Sequence, residues 1–225
     1  MNKQSNSYTI IYIIVLVVVV GAALAFTAMG LKDRQQQNAD ADRMRQILAA
    51  VHITPAPADV VADFGKYITS QAVVNSRGET VGDDAFAVSV AAQVKLPADE
   101  RQLPVFICTL PDGSLKYILP MYGAGLWGPI WGYVALDSDA TTIYGAYFAH
   151  QGETPGLGAE IEKPAFSDQF DGKTIWKDGN FMPVAVVTKG QPSPSGEDEV
   201  DGISGGTITT KGVSARLSDR LKPYE

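Results

Sequence analysis

Hydrophobic and polar positions follow different rhythms in different parts of this chain. Residues 10–31 carry no charged side chain at all. A helix of that length rises about 33 Å, enough to cross a hydrocarbon core of about 30 Å. It is the only run of its kind, so one transmembrane helix is expected behind a short tail, residues 1–9. From Asp33 the chain turns polar and Gln-rich, until Met44, Ile47, Leu48 and Val51 recur at helical spacing. The helix is therefore expected to leave the bilayer and dock only with its second half, ending before Pro55 and Pro57. Val60, Val61, Phe64, Tyr67 and Ile68 define a second amphipathic helix, and residues 72–75 with Ser76-Arg77-Gly78 a strand and turn.

From Val105 onward the period shortens to runs of β-branched and aromatic residues broken by turns. Residues 105–110, the Asp112-Gly113 turn and residues 116–119 predict a hairpin. Residues 132–137 and 141–150 predict the next two strands, and 182–187 another. Residues 191–199, rich in Pro, Ser and acid, are expected to form a surface loop with Glu197, Asp198 and Glu199 on a solvated face. Val213, Leu217 and Leu221 then recur every four residues, the spacing of one helical stripe. Helices before and after the strands, rather than between them, predict an α+β class with a largely antiparallel sheet and flanking helices. The organisation expected is a tail (1–9), a transmembrane helix (10–31), a helical linker with docking helices (32–70) and a folded domain (71–225).

Composition narrows the chemistry. The formal charge of −7 and pI near 4.8 oppose nucleic-acid binding, which needs a basic face. One cysteine, Cys108, excludes an intramolecular disulfide and any Cys-cluster metal site. With only His52 and His150 besides, no metal is expected. A cleaved signal peptide competes with the membrane anchor, because Ala23-Leu24-Ala25 has the form of a cleavage site. The apolar run exceeds the usual signal-peptide limit of about 15 residues, which favours the anchor. Lys3 on one side and Lys32 and Arg34 on the other leave the orientation undecided by charge.

Three glycine motifs invite a functional reading. Gly123-Ala124-Gly125-Leu126-Trp127-Gly128 satisfies G-x-G-x-x-G, yet Pro129 and another strand pattern follow where a dinucleotide site needs a helix. Gly202-Ile203-Ser204-Gly205-Gly206 satisfies G-x-S-x-G, but no His follows Ser204 as the α/β-hydrolase order requires. His150 in a triad of another order is a distant third reading. Gly152-Glu153-Thr154-Pro155-Gly156-Leu157-Gly158 is a stiff turn presenting a carboxylate and a hydroxyl, suited to a planar heterocycle. Asp201 to Thr209, with two adjacent glycines among hydroxyls ahead of a helix, combines close backbone approach with the unpaired N–H groups that favour a phosphate. Taken alone, Ser, Gly and Thr before a helix are ordinary caps.

Asp-x-x-Ser-Gly-x-Thr-x-Thr followed by Gly-Val resembles the flavinylation motif of the FMN-binding domain family; the family usually has Ala where this chain has Gly206. The order of Gly125-Leu126-Trp127, residues 153–158, Lys189-Gly190 and residues 201–209 is similar to that in the C subunits of sodium-translocating NADH:quinone oxidoreductases. The resemblance runs from the apolar segment to about Val213. It implies FMN held covalently on Thr209 by a phosphoester, with Ser204, Gly205 and Thr207 at the phosphate end. It implies Leu126, Trp127, Glu153, Thr154 and Leu157 around the isoalloxazine ring, and Lys189 toward the phosphate or ring edge. It further implies a single-pass subunit of the bacterial inner membrane with its large domain on the periplasmic side, passing single electrons within an NADH-oxidising, quinone-reducing complex. The partners it implies are the other subunits, membrane lipid and a flavin transferase for maturation. Sodium movement is expected to belong to other subunits, because the apolar run has no acidic or basic side chain. Two alternatives stand beside this reading: the related subunit of ion-translocating ferredoxin:NAD oxidoreductases (Rnf-type), which shares the flavinylated Thr, and a membrane-tethered assembly module without a cofactor.

Overall fold

The computed structural model describes residues 6–191, 193 and 196–221. The chain divides into two compact units, Met1–Arg43 and Met44–Glu225. Helix α1, Asn6–Ala49, is continuous through the apolar run and beyond it. Every large apolar side chain between Ile10 and Leu31 is exposed, and the helix is long and apolar enough to cross a membrane.

The second unit is built on a six-stranded antiparallel sheet of order β2-β1-β3-β4-β5-β6. Its strands are β1 (Ile68–Val74), β2 (Thr80–Gly82), β3 (Leu103–Thr109), β4 (Leu115–Ala124), β5 (Pro129–Leu136) and β6 (Ile143–His150). Helix α2 (Val60–Tyr67) precedes β1, and the short helices α3 (Val90–Gln93) and α4 (Pro164–Ser167) lie in connections. Strands β7 (Trp176–Lys177) and β8 (Asn180–Phe181) form a small hairpin. Strands β9 (Ala185–Val187) and β10 (Glu199–Asp201) pair in parallel, and α5 (Thr207–Leu221) closes the described chain. The α+β architecture with a largely antiparallel sheet is the one expected.

Because successive side chains on a strand face opposite ways, the central strands feed two cores. Ile118, Tyr133 and Ala135 join Phe106 and Cys108 against Ile47, Leu48, Val51 and Phe64 on one side. Leu119, Met121, Val134 and Leu136 face the other side, where Val213, Leu217 and Leu221 of α5 pack with Phe166 and Phe170. The four-residue stripe of α5 is thus its buried face. The Trp131 indole N–H donates to the buried Gln46 side chain at 2.9 Å, fastening the last turns of α1 within this unit to the sheet.

Several expectations are corrected. Ile68 belongs to β1 rather than α2: its backbone is extended (φ −83°, ψ 90°), as a β-branched residue followed by Thr69 favours. Strand β4 runs on to Ala124 instead of stopping at Leu119. Pro120 is tolerated because the β3–β4 ladder ends at Phe106 and Ile118, while β5 accompanies β4 to its end. The strand expected over 182–187 shortens to Ala185–Val187 beyond Pro183. A hairpin not expected precedes it, turning at Asp178-Gly179, where both residues have positive φ. Within 191–199, positions 192, 194 and 195 lie outside the described residues. Asp198 is not on a solvated face: it accepts the Thr174 N–H at 2.7 Å and pairs with Lys177 at 2.8 Å. Glu199 opens β10.

Cys108 is fully buried, and burial pushes its thiol up to about 11, with Lys116 pulling weakly the other way. The folded chain at pH 8 is therefore expected to resist iodoacetamide, whereas the urea-unfolded chain reacts readily. Alkylation of the folded chain within tenfold of the unfolded rate would show that this core is open.

Candidate functional site

Helix α5 approaches the end of β4 closely. A Cβ at Gly212 would stand 2.8 Å from the Ala124 carbonyl oxygen, so only glycine allows this crossing. The crossing brings the first turns of α5 to the β4–β5 hairpin, where the Gly125 N–H donates to the Gly128 carbonyl at 2.8 Å. No helix follows that glycine run, and β5 begins at Pro129.

Thr209 lies four residues before Val213, on the inward stripe of α5, and is 1% exposed. Its hydroxyl does not end in apolar packing. It donates to Glu153 Oε2 at 2.5 Å, across 56 residues of sequence. The Glu153 carboxylate, 4% exposed, accepts the Trp127 N–H on Oε1 at 2.8 Å, and the neighbouring N–H groups of Leu126 and Gly128 add to the favourable field on it. Burial would push this carboxyl up. The Thr209 hydroxyl and the three amides outweigh that effect and hold it below the usual carboxylate range. The Glu153 N–H donates to His150 Nδ1 at 3.1 Å, leaving Nε2 to carry the imidazole proton toward Glu162, 3.8 Å away.

Glycines make room for this cluster. A Cβ at Gly158 would lie 2.5 Å from Glu153 Oε2 and 2.6 Å from Thr209 Oγ1, and one at Gly125 2.6 Å from Glu153 Oε1. Gly205 takes φ +74°, and a Cβ there would meet Leu157 Cδ2 at 2.6 Å. The turn over 153–158 therefore seats directly on the turn over 204–206.

Beside that contact opens a cleft of about 980 Å³, at the upper end of the range of about 300–1,000 Å³ typical of ligand sites. Ser204, Gly205, Thr207, Thr210 and Lys211 line it at the N-terminal end of α5, where the first N–H groups lack intrahelical partners. Lys163 and Lys189 add positive charge from other connections, against the carboxylates of Glu160 and Asp201. The cleft thus has room for a nucleotide and an excess of cations for its phosphate.

Eight of the ten expected site residues fall into two groups. Ser204, Gly205, Thr207 and Lys189 line the cleft. Thr209 and Glu153 meet directly, with Leu126 and Trp127 joining through their amides. The side chains of Leu126 and Trp127 are exposed, Trp127 by 70%, as is Leu157, while Thr154 serves through its carbonyl, which accepts from Leu157 and Ala159. Gly125 and Gly158 lie in the expected motifs without a role assigned to them, and Lys163, Thr210 and Lys211 were not anticipated. Lys211 stands four residues after Thr207, so the helical period already put it on the cleft side; nothing local to Lys163 indicates its place. His150 is engaged with Glu153 and Glu162 rather than with Ser204.

Residues 125–222 match the family model of the FMN-binding domain, a span that takes in both turns and α5. The C subunit of the Na(+)-translocating NADH-quinone reductase of Vibrio anguillarum is 33% identical over 228 residues, which cover 94% of this chain and 89% of that protein. The crystal structure of the corresponding C subunit from Parabacteroides distasonis superposes with a TM-score of 0.81 at 49% identity, covering 86% of this chain and 94% of that one. Shewanella oneidensis NqrC superposes at 0.67 with 25% identity, covering 79% and 90%. The fold is that of a protein with an FMN-binding domain. More particularly, the chain belongs to the family of C subunits of Na(+)-translocating NADH-quinone reductases, an oxidoreductase complex.

Two outcomes are expected for the unmodified chain. Glu153→Gln should cost about 2 kcal/mol at pH 7, by weakening hydrogen bonds to a charged acceptor. Since the folded carboxyl is held below its ordinary value of 4.5, its stabilisation is present above that value and lost as pH falls through the folded one. Thermal melting of both chains from pH 7 to pH 3 should thus show their difference shrinking on the acid side; a pH-independent difference would refute the assignment. Gly158→Ala should cost about 2 kcal/mol by forcing Glu153 and Thr209 apart, read as an unfolding midpoint shifted in urea with an unchanged slope.

Proposed function

We propose that this chain is the electron-carrying C subunit of a membrane complex of this kind, holding FMN covalently through a phosphoester on Thr209. The observation that carries the reading is that the Thr209 hydroxyl points at a carboxylate where three turns, 125–128, 153–158 and 204–207, converge beside a nucleotide-sized cleft. A threonine serving only to pack α5 would not be answered by a buried ionised partner.

FMN supplies the one-electron chemistry in such a protein. The chain's own residues then have separable tasks. Ser204, Gly205 and Thr207 at the start of α5 receive the phosphate end, and Lys189 offsets its charge. Leu126, Trp127 and Leu157 are large apolar side chains left exposed around the site, and a planar ring would cover them and exclude water. Glu153 and Thr154 border the same ring.

The relatives are named as subunits of a Na(+)-translocating NADH-quinone reductase, which makes other subunits the partners. The apolar stretch of α1 anchors the chain in the inner membrane with the second unit on the periplasmic side. Sodium passage falls to partner subunits, because no acidic or basic side chain lies within residues 10–31. The Rnf-type reading is set aside on the names of these relatives.

The decisive measurement is the intact mass of the chain co-expressed with a flavin transferase. The wild type should be yellow and heavier by one FMN less water, and Thr209→Ala should lack both features. Retention of the mass increment by the Ala variant would refute attachment at residue 209.

A further inference from the structure

Esterification at Thr209 conflicts with the contacts that residue now makes. Forming the ester joins Oγ1 to phosphorus, breaks the bond from that phosphorus to the leaving phosphate of a flavin-nucleotide pyrophosphate donor, and releases the hydroxyl proton to solvent. Oγ1 then has no hydrogen to donate, and an anion stands within bonding distance of the site Glu153 Oε2 holds, 2.5 Å from Oγ1. Two anions in one buried place repel strongly. Glu153 would lose its side-chain donor and acquire a like-charged neighbour in the same step.

From this conflict, and resting on the covalent reading above, we infer that the Glu153 carboxylate is a stand-in for the flavin phosphodiester. The Trp127 N–H, flanked by those of Leu126 and Gly128, forms one side of the anion site that the phosphodiester takes over once Glu153 is expelled, with the turn of Ser204, Gly205 and Thr207 on its other side. A phosphodiester has two terminal oxygens spread much like those of a carboxylate, so the same amides suit both. The phosphodiester is tethered at Thr209, whereas Glu153 is followed by an exposed turn, Thr154 to Gly156, with Gly156 at φ +75°. The side chain has a short way to solvent. The close packing of Gly125 and Gly158 around the carboxylate makes the pocket fit one anion and no more. The 125–128 hairpin thereby holds the cofactor by its backbone, in addition to any contact its side chains make with a ring.

The test uses Glu153→Ala in two forms of the full chain, unmodified and flavinylated. In the unmodified form the substitution should lower Tm by roughly 5 °C or more, as expected for loss of a buried, multiply bonded anion from a domain of this size. Millimolar inorganic phosphate should restore part of that loss in the Ala variant while leaving the wild type unmoved. In the flavinylated form the same substitution should change Tm by less than about 1 °C, because Glu153 has already left its partners. Equal losses in both forms, or no response of the Ala variant to phosphate, would overturn the inference. A wild type that never gains flavin mass, with phosphate still stabilising the Ala variant, would sink the covalent reading and leave the amide site supported. Should the Ala variant not fold, Glu153→Gln fills the same space and carries the comparison between the two forms.

Discussion

A carboxylate taken out of water must be answered by donors, or it drives its own surroundings apart. Glu153 is answered by the Trp127 amide of the 125–128 hairpin and one hydroxyl from α5. Those donors come from elements far apart in the chain, so the carboxylate works as a joint. Hairpin, turn and helix hold their mutual positions while an anion occupies the space between them. The same joint makes Thr209 chemically distinctive, since an ordinary buried threonine on a helix bonds back to its own preceding turn. Thr210 does just that, donating to the Gly206 carbonyl at 3.0 Å.

The sheet is the frame that brings the joint together. Strands β4 and β5 are buried on both faces, and the hairpin that links them projects from the layer they form. Helix α5 lies against one face because its apolar stripe needs cover, and it reaches the hairpin because Gly212 lets it come within contact of the Ala124 carbonyl. Small residues recur wherever elements of the site meet: Gly125 and Gly158 around the carboxylate, Gly205 under Leu157. Close packing of backbone, rather than any unusual side chain, sets the dimensions of the site.

The cleft and the joint are neighbours with different character. Lysines and the start of a helix make the cleft welcoming to an anionic ligand of nucleotide size. The joint is dry, shared by three elements, and already holds an anion of its own.

Short-range patterns made part of this legible in the sequence. Val213, Leu217 and Leu221 marked the buried face of α5; that Thr209, one turn earlier, shares this face was not read from the sequence. Pro129 after the glycine run marked a hairpin instead of a nucleotide-binding helix, and the Glu-Thr-Pro-Gly segment was recognisable as a turn. The bend from α2 into β1 at Ile68 and the continuation of β4 past Pro120 were not legible, because pairing partners rather than local preference decide where a strand starts and stops. The chain's own order of residues thus determined most of the helices and the apolar run, which rest on periodicities of a few residues, the antiparallel class, which rests on the order of elements, and the motif around Thr209, which rests on a local run of residue types. Only the tertiary structure decided that Glu153, rather than solvent or a neighbouring turn, answers the Thr209 hydroxyl. That contact spans 56 residues and exists because two sheet strands and a helix crossing must close before either group meets the other.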